Sequence, residues 1–373
     1  MKKFRIWLSP PFLSGKEYEY IQNAIHSGWI TTLGDSLEQF EIELSKLLHY
    51  KKVCCLNSGT SAIHLALKLL NILERDEIIC PSLTFIATAN PILYEKACPI
   101  FVDSEPETWN LSPEWLEIAI RDRIKKGKKP KAIMIVHLYG NSAKLSEIQK
   151  IAEHYEIPII EDNAEAFGAS YQQKPLGTFG KFGILSFNGN KIITTSAGGA
   201  LICEPEFYQK AKYLAQQAKS PLPYYHHEEI GYNYSMSNLL AALGLAQLSN
   251  LEQRIHAKRS IFFRYHQEII QPFQLEFPKE LPNCFSTRWL TTFLLPPNKN
   301  PQELTDVLKN HQIEARRIWK PLHLQPIMQH FPFYGEHLCT HLFEKGICLP
   351  SGVGLTPAEQ SEIIDIIKSF LFS

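Results

Sequence analysis

Val53-Cys54-Cys55-Leu56-Asn57-Ser58-Gly59-Thr60-Ser61-Ala62-Ile63-His64-Leu65-Ala66-Leu67-Lys68-Leu69 changes period in mid-course. The first four residues form a short apolar run, the next five are small and polar, and Ala62, Leu65, Ala66 and Leu69 recur at helical spacing. This is strand, small-residue turn, helix. The alternation continues downstream: Glu77 to Cys80, Ile100 to Asp103, Ala132 to Val136 and Ile157 to Asp162 read as strands, with helical stretches over Leu111 to Ile124 and Leu145 to Tyr155. Continuous apolar strands alternating with helices predict an α/β fold with a mainly parallel sheet covered on both faces.

Upstream, Ser14 with Glu17 and Ser36 with Gln39 have capping-box spacing and open two predicted helices. Past Gly177 the elements shorten, with strands expected at Ile184 to Phe187 and Ala200 to Cys203. Ser237 to about Ile270 reads as one long helix. Pro221 to Glu229 (PLPYYHHEE) reads as a surface excursion. The 373 residues suggest two domains at roughly 150 residues each. We place the division near 250, giving a large domain over 1–250 and a smaller C-terminal α/β domain over 251–373.

Composition excludes several classes. With 45% hydrophobic and 11% aromatic residues the chain can bury a large core, and 38 basic residues balance 38 acidic ones. Nucleic-acid and membrane-surface binding both favour a basic excess. No apolar run reaches the roughly 18–20 residues that cross a bilayer, and the start has no cleavage-site pattern, so the cytoplasm is the expected compartment. The eight cysteines contain no CxxC and are expected to be reduced. His337, Cys339 and His341 have ligand-like spacing but no fourth partner, so no metal is expected.

In open parallel sheets, ligands collect at the carboxyl ends of the strands. Three features fall there. Ser58-Gly59-Thr60 enters a helix and suits a phosphate, or is an ordinary helix cap. Glu161-Asp162 ends a strand and could hold a cationic ring nitrogen or a metal, or cap a loop. Lys191 follows the strand ending at Ser186-Phe187, where partial desolvation would free its amine as a nucleophile, although most lysines are solvated. Taken together, phosphate cradle, carboxylate and lysine are what pyridoxal phosphate needs. No GxxxxGK[ST] occurs, and Gly177, Gly180 and Gly183 have the wrong spacing for a dinucleotide fingerprint.

At these residues the sequence resembles the nucleotide-sugar aminotransferases of the DegT/DnrJ/EryC1/StrS family, within fold type I of the pyridoxal-phosphate enzymes (aspartate aminotransferase-like). The resemblance runs through SGWITTLG (27–34), LNSGTSAIHLAL (56–67), PSLTFIATANPI (81–92), HLYGN (137–141), IIEDNAEAFGA (159–169), GTFGKFGILSFNGNKIITT (177–195), GYNYSMSN (231–238), WKPLH (319–323) and KGICLPSG (345–352). IITTSAGGALI and KGICLPSG look most like the transaminases that aminate C4 of a UDP-linked 4-keto-6-deoxy-N-acetylhexosamine, the bacillosamine-type branch of bacterial glycan synthesis.

The resemblance makes Lys191 the amine that bonds pyridoxal 5'-phosphate and, once displaced, the base that moves a proton. It makes Asp162 the partner of the pyridine nitrogen and Phe85 the ring stacked on the cofactor. Ser58, Gly59, Thr60 and Ser186 would hold the phosphate. Asn233 would reach the phosphate of a neighbouring subunit's cofactor, which implies a homodimer with shared active sites. Trp29, Ile30, Thr31, Thr32, Arg316 and His323 would lie near the nucleotide-sugar, with L-glutamate as amino donor. Glu165 stands near the ring hydroxyl where many members have Gln, Ser235 where Arg is usual, and Ala197 where Glu is frequent. Related sugar dehydratases carry His at the lysine position, so Lys191 argues against their chemistry. Alternatives are another keto-sugar (a 4-keto-altrose-type UDP sugar of the pseudaminic acid route, or a GDP-linked perosamine precursor) or a non-catalytic cofactor-binding protein.

Overall fold

The computed structural model describes residues 4–373. Its central sheet has eight strands, here numbered in chain order: β1 (Lys52–Leu56), β2 (Glu77–Pro81), β3 (Cys98–Val102), β4 (Ala132–Val136), β5 (Ile159–Asp162), β6 (Phe182–Ser186), β7 (Gly199–Cys203) and β8 (Phe333–Tyr334). Their spatial order is β1-β7-β6-β5-β4-β2-β3-β8. Only β7 runs against the rest, pairing antiparallel with both β1 and β6. That reversal brings the entrance of β7, at Gly198-Gly199, to the edge where β1, β2, β5 and β6 end. The expected α/β architecture with a mostly parallel sheet is what forms, and the strands are buried on both faces as their continuous apolar sequences require.

Helices cover both faces. On one side Ile63, Ala66 and Leu67 of the helix Gly59–Leu69 pack on Cys54, Leu56, Ile160 and Leu201. On the other, Leu116, Ile120 and Ile148 meet Ile79, Ile133 and Ile135. A further core gathers Phe262, Tyr265, Phe293, Leu304, Ile347, Ile363 and Ile367 with Ile6 from the N-terminal segment. It is built on a three-stranded antiparallel sheet of Thr291–Leu294, Gly346–Leu349 and Arg316–Arg317.

Local expectations differ from the structure in informative places. The helix Asp35–Leu47 has Gly34 as N-cap, so Ser36 lies inside it and no capping box forms. Instead Asn238 Oδ1 accepts from Leu37 N at 3.0 Å. At Ser14 half of the box exists: Glu17 Oε1 accepts Ser14 N at 2.8 Å, while the helix begins at Glu17 itself. The long helix expected from Ser237 divides into Asn238–Leu248 and Leu251–Tyr265. At the break Ser249 Oγ donates to Ala246 O and Asn250 Nδ2 donates to Ser249 Oγ, polar side chains competing with the backbone ladder. Residues 221–229 are all exposed, as expected of an excursion. The eight cysteines are free thiols. Cys339 is buried in the helix Leu338–Lys345, and among the described residues no cluster of His, Cys, Asp or Glu could hold a metal. No described helix is long and apolar enough to cross a membrane.

Candidate active site

A cavity of about 290 Å³ opens at the carboxyl edge of the sheet. It is lined by residues at or just past the strand ends: Asn57 to Thr60 after β1, Thr84 and Phe85 after β2, Asp162, Ala164 and Glu165 at β5, Ser186, Asn188, Asn190 and Lys191 at β6, and Ala197-Gly198 before β7. Ser58, Gly59, Thr60, Phe85, Asp162, Glu165, Ser186 and Lys191, far apart in sequence, are therefore brought together.

Ser58 caps the helix Gly59–Leu69, its Oγ accepting from Ser61 N at 3.0 Å. The preceding N–H groups of Gly59 and Thr60 belong to the first turn and have no intrahelical partner, which makes this end an anion site. A Cβ on Gly59 would lie 3.2 Å from Ser186 Cβ and 3.3 Å from Leu185 O, so the glycine lets the start of this helix approach the end of β6 closely.

The β5 pair separates by strand alternation. Asp162 faces the cavity, with Oδ2 accepting from Thr88 Oγ1 at 2.8 Å and Oδ1 from Ala164 N at 3.2 Å. Burial pushes its pKa up, opposed by those donors and by the charge of Lys191. Glu161 faces away, fully buried, and is satisfied there: Gly177 N, Phe179 N and Gly180 N donate to it, and His137 Nε2 lies 3.0 Å away. His137 Nδ1 accepts from Ala143 N, so the ring proton sits on Nε2 and points at Glu161. The glycines at 177 and 180 thus bring backbone N–H groups to a structural carboxylate.

Lys191 is buried, which pulls its pKa down, with Glu165 and Asp162 opposing the shift. Its Nζ lies 3.9 Å from Glu165 Oε1 and 4.3 Å from the centre of the Trp289 ring. Glu165 is buried as well, which raises its pKa. It is oriented by Tyr139 N, which donates to Oε2 at 2.9 Å from a residue held at φ 53°, a left-handed conformation that costs a non-glycine residue energy. The Tyr139 hydroxyl accepts from Trp319 N at 3.1 Å, and Trp319 meets Phe85 across the cavity mouth at 5.3 Å between ring centres. Phe85 keeps 48% of its surface exposed, an aromatic face free for a planar ligand.

Ala197 lines the cavity too, whereas the other residues expected to bind cofactor or sugar lie outside it. Asn233 is exposed, with only its backbone carbonyl engaged, by Asn57 Nδ2 at 3.1 Å. Trp29, Ile30, Thr31 and Thr32 form a largely exposed loop pinned by Asn238, which donates to Trp29 O and Thr31 O. Arg316 pairs with Glu314 and lines a neighbouring cavity with Trp7, Pro10, Asn190 and Trp289. His323 is stacked on Phe333 and bonded to Ser82 Oγ at 2.7 Å; burial and the nearby His337 push its pKa down to about 4. Sequence reading did not single out Thr88, Tyr139, Trp289 or Trp319. Three of them lie inside quoted stretches, but their roles depend on contacts with distant segments.

A phosphate cradle, a buried carboxylate for a protonated ring nitrogen, an aromatic face and a desolvated amine fit pyridoxal 5'-phosphate. The comparisons agree. The chain is 47% identical over 368 residues to the pyridoxal phosphate-dependent aminotransferase EpsN of Bacillus subtilis, covering 97% of this chain and 95% of that one. It is 38% identical to GDP-perosamine synthase of Escherichia coli O157:H7, covering 96% and 97%. A DegT DnrJ EryC1 StrS aminotransferase from Brucella abortus superposes with a TM-score of 0.90 at 28% identity, covering 96% of each chain. With the family's profile matching residues 12–368, the chain belongs to the DegT/DnrJ/EryC1/StrS aminotransferases, pyridoxal-phosphate enzymes of fold type I.

Proposed function

We propose that this aminotransferase moves an amino group from L-glutamate to C4 of a nucleotide-linked 4-keto-6-deoxy sugar, working as a cytoplasmic homodimer. The observation that carries the reading is the pairing of a desolvated Lys191 amine with a buried Asp162 in one cavity at the strand ends. A UDP-linked 4-keto-6-deoxy-N-acetylhexosamine is our first choice of acceptor, on the likeness of IITTSAGGALI and KGICLPSG. A GDP-linked 4-keto-6-deoxymannose is the second, favoured by relatives named GDP-perosamine synthase at 38%, 34% and 33% identity.

Each residue has work that its surroundings suit. Ser58, Gly59, Thr60 and Ser186 would hold the phosphate through hydroxyl and N–H groups. Asp162, whose ionised form is favoured by Thr88 and Lys191 against the effect of burial, would hold the protonated pyridine nitrogen, and Phe85 would cover one ring face. Bound there, the cofactor supplies an electron-withdrawing ring that spreads the negative charge left when a proton leaves the amino-bearing carbon. Lys191 holds its amine neutral more readily than a solvated lysine, so it can bond the cofactor and, once displaced, carry that proton. Glu165, 3.9 Å away, would hold Lys191 on the cavity side. Phe85 and Trp319 would limit water at the mouth. Asn233, exposed in one subunit, would complete the phosphate site of another, and residues 29–32, Arg316 and His323 would border the sugar. The division into units of 1–250 and 251–373 is part of the same proposal.

Borohydride reduction of the holoenzyme followed by peptide mass spectrometry should locate the cofactor on Lys191, and Lys191→Ala should lose the adduct and turnover together. An adduct elsewhere would refute the assignment. Incubating the aminated form with each keto-sugar and weighing the products then separates the two acceptors.

A further inference from the structure

Lys258 is 1% exposed and lies on the helix Leu251–Tyr265. Among the described residues no carboxylate stands within ion-pair distance of it. The nearby charge is Arg254, one turn earlier, and together with burial it pushes the Lys258 pKa down to about 7. A buried charge without a counter-ion is costly and is retained only where oxygens converge on it. Three do. Lys258 Nζ donates to Trp289 O at 2.9 Å and to Ser351 O at 2.8 Å, and lies 3.5 Å from Ser9 Oγ.

Two of those three residues go on to grip the active-site lysine's own segment. Ser9 Oγ donates to Asn190 O at 3.1 Å, and Trp289 Nε1 donates to the same carbonyl at 2.9 Å. Having one proton, committed to Asn190, the Ser9 hydroxyl presents its lone pairs to Lys258. The Trp289 ring also packs over Lys191 Nζ. The N-terminal segment, the stretch leading into the strand Thr291–Leu294 and Ser351, two residues past the strand Gly346–Leu349, are thus tied by one ammonium. Two of them deliver hydrogen-bond donors to the peptide group that joins Asn190 to Lys191.

We infer that Lys258 is a positioning residue for Lys191, acting through Trp289 and Ser9 on the Asn190 carbonyl; this rests on Lys191 being the cofactor-bonding lysine. The pull on that carbonyl orients the Asn190–Lys191 peptide and keeps the Lys191 amine against the Trp289 face. A residue with no contact to cofactor or substrate would then tune the reactive amine.

The test uses holoenzyme variants Lys258→Met, Trp289→Phe and Ser9→Ala, and the double variant Lys258→Met/Trp289→Phe. The primary readout is the pH midpoint of the lysine-bound cofactor absorbance, taken beside the melting temperature. Lys258→Met and Trp289→Phe should move the midpoint in the same direction by about half a pH unit or more. The double variant should move it no further than either single one, because both break one chain of contacts. Ser9→Ala should give a smaller shift the same way. If Lys258→Met does not fold, Trp289→Phe and Ser9→Ala carry the prediction alone. Wild-type midpoints in those two, a lower melting temperature without any midpoint shift, or additive effects in the double variant would each overturn the inference. Borohydride trapping on the same preparations keeps the two readings apart. An adduct missing from Lys191 in the wild type defeats the functional proposal, whereas an adduct on Lys191 with unchanged midpoints defeats only this one.

Discussion

Replacing Thr88 by valine should weaken the cofactor's hold without disturbing the fold. Thr88 is buried and its hydroxyl donates to Asp162 Oδ2 at 2.8 Å. Thr84 Oγ1 lies 3.0 Å from Thr88 Oγ1. A hydroxyl has one proton, and a carboxylate accepts only, so the order runs Thr84 to Thr88 to Asp162. Valine keeps the volume and removes the last link. A hydrogen bond to a charged group is worth roughly 1.5–3 kcal/mol. Ala164 N and the Lys191 charge still favour the ionised form of Asp162, which argues for the lower end of that range. About 1.4 kcal/mol is a tenfold change, so the Thr88→Val dissociation constant for pyridoxal phosphate should rise about tenfold. Burial already pushes the Asp162 pKa up, and the lost bond pushes it further, making a poorer partner for a protonated ring nitrogen. Titrating apoenzyme with cofactor and following the absorbance of the adduct gives the constant directly. Thr88→Ser, which keeps the hydroxyl, should stay close to wild type. A valine variant that binds within twofold of wild type would show that the Thr88 bond does not support Asp162, and the reasoning would fail.

Phe85→Ala should raise the cofactor dissociation constant roughly threefold to tenfold, the scale of an aromatic stacking contact. Because the ring is half exposed, the apoenzyme should melt at the wild-type temperature; a large drop would mean that Phe85 serves the fold. Gly199→Ala would put a Cβ 2.3 Å from Gly59 N and 2.4 Å from Ser58 C. Backbone cannot yield there cheaply, so stability in urea should fall by more than about 3 kcal/mol, and normal unfolding would contradict the close approach of β7 to the phosphate turn. The pH dependence of the apoenzyme follows from Asp162 and Glu165, whose pKa values are raised by burial. A carboxyl raised on folding binds protons more readily in the folded chain. Its stabilising contribution is therefore fully present below the unfolded value, about 4, and is lost as pH rises through the raised value. Glu165→Gln should remove part of that decline, so its melting temperature should gain on wild type as pH rises above about 4; parallel curves would count against a raised Glu165.

How much of this was readable in advance depends on the range over which each contact acts. The turn at Asn57 to Ser61 was legible because strand, cap and helix are contiguous, and each uses residue types suited to its own few positions. Lys191 and Asp162 were legible as chemistry, since an amine and a carboxylate at strand ends have few other joint uses. The face that each member of the Glu161-Asp162 pair takes was not legible. A strand buried on both sides is apolar throughout, so it lacks the alternation that would assign its faces. The helix after Gly34 shows the same limit: its local pattern suggested Ser36 as cap, and Asn238 supplied the acceptor instead. Around Lys191 the limit is sharper. Asn190 contributes its carbonyl, which every residue type possesses, and the donors come from Ser9 and Trp289, each about a hundred residues or more away along the chain. Substituting Asn190 should therefore reveal little, because the new residue brings the same carbonyl. The orienting power lies in the donors and in the ammonium that ties them together, and altering those is what should change the reactivity of Lys191.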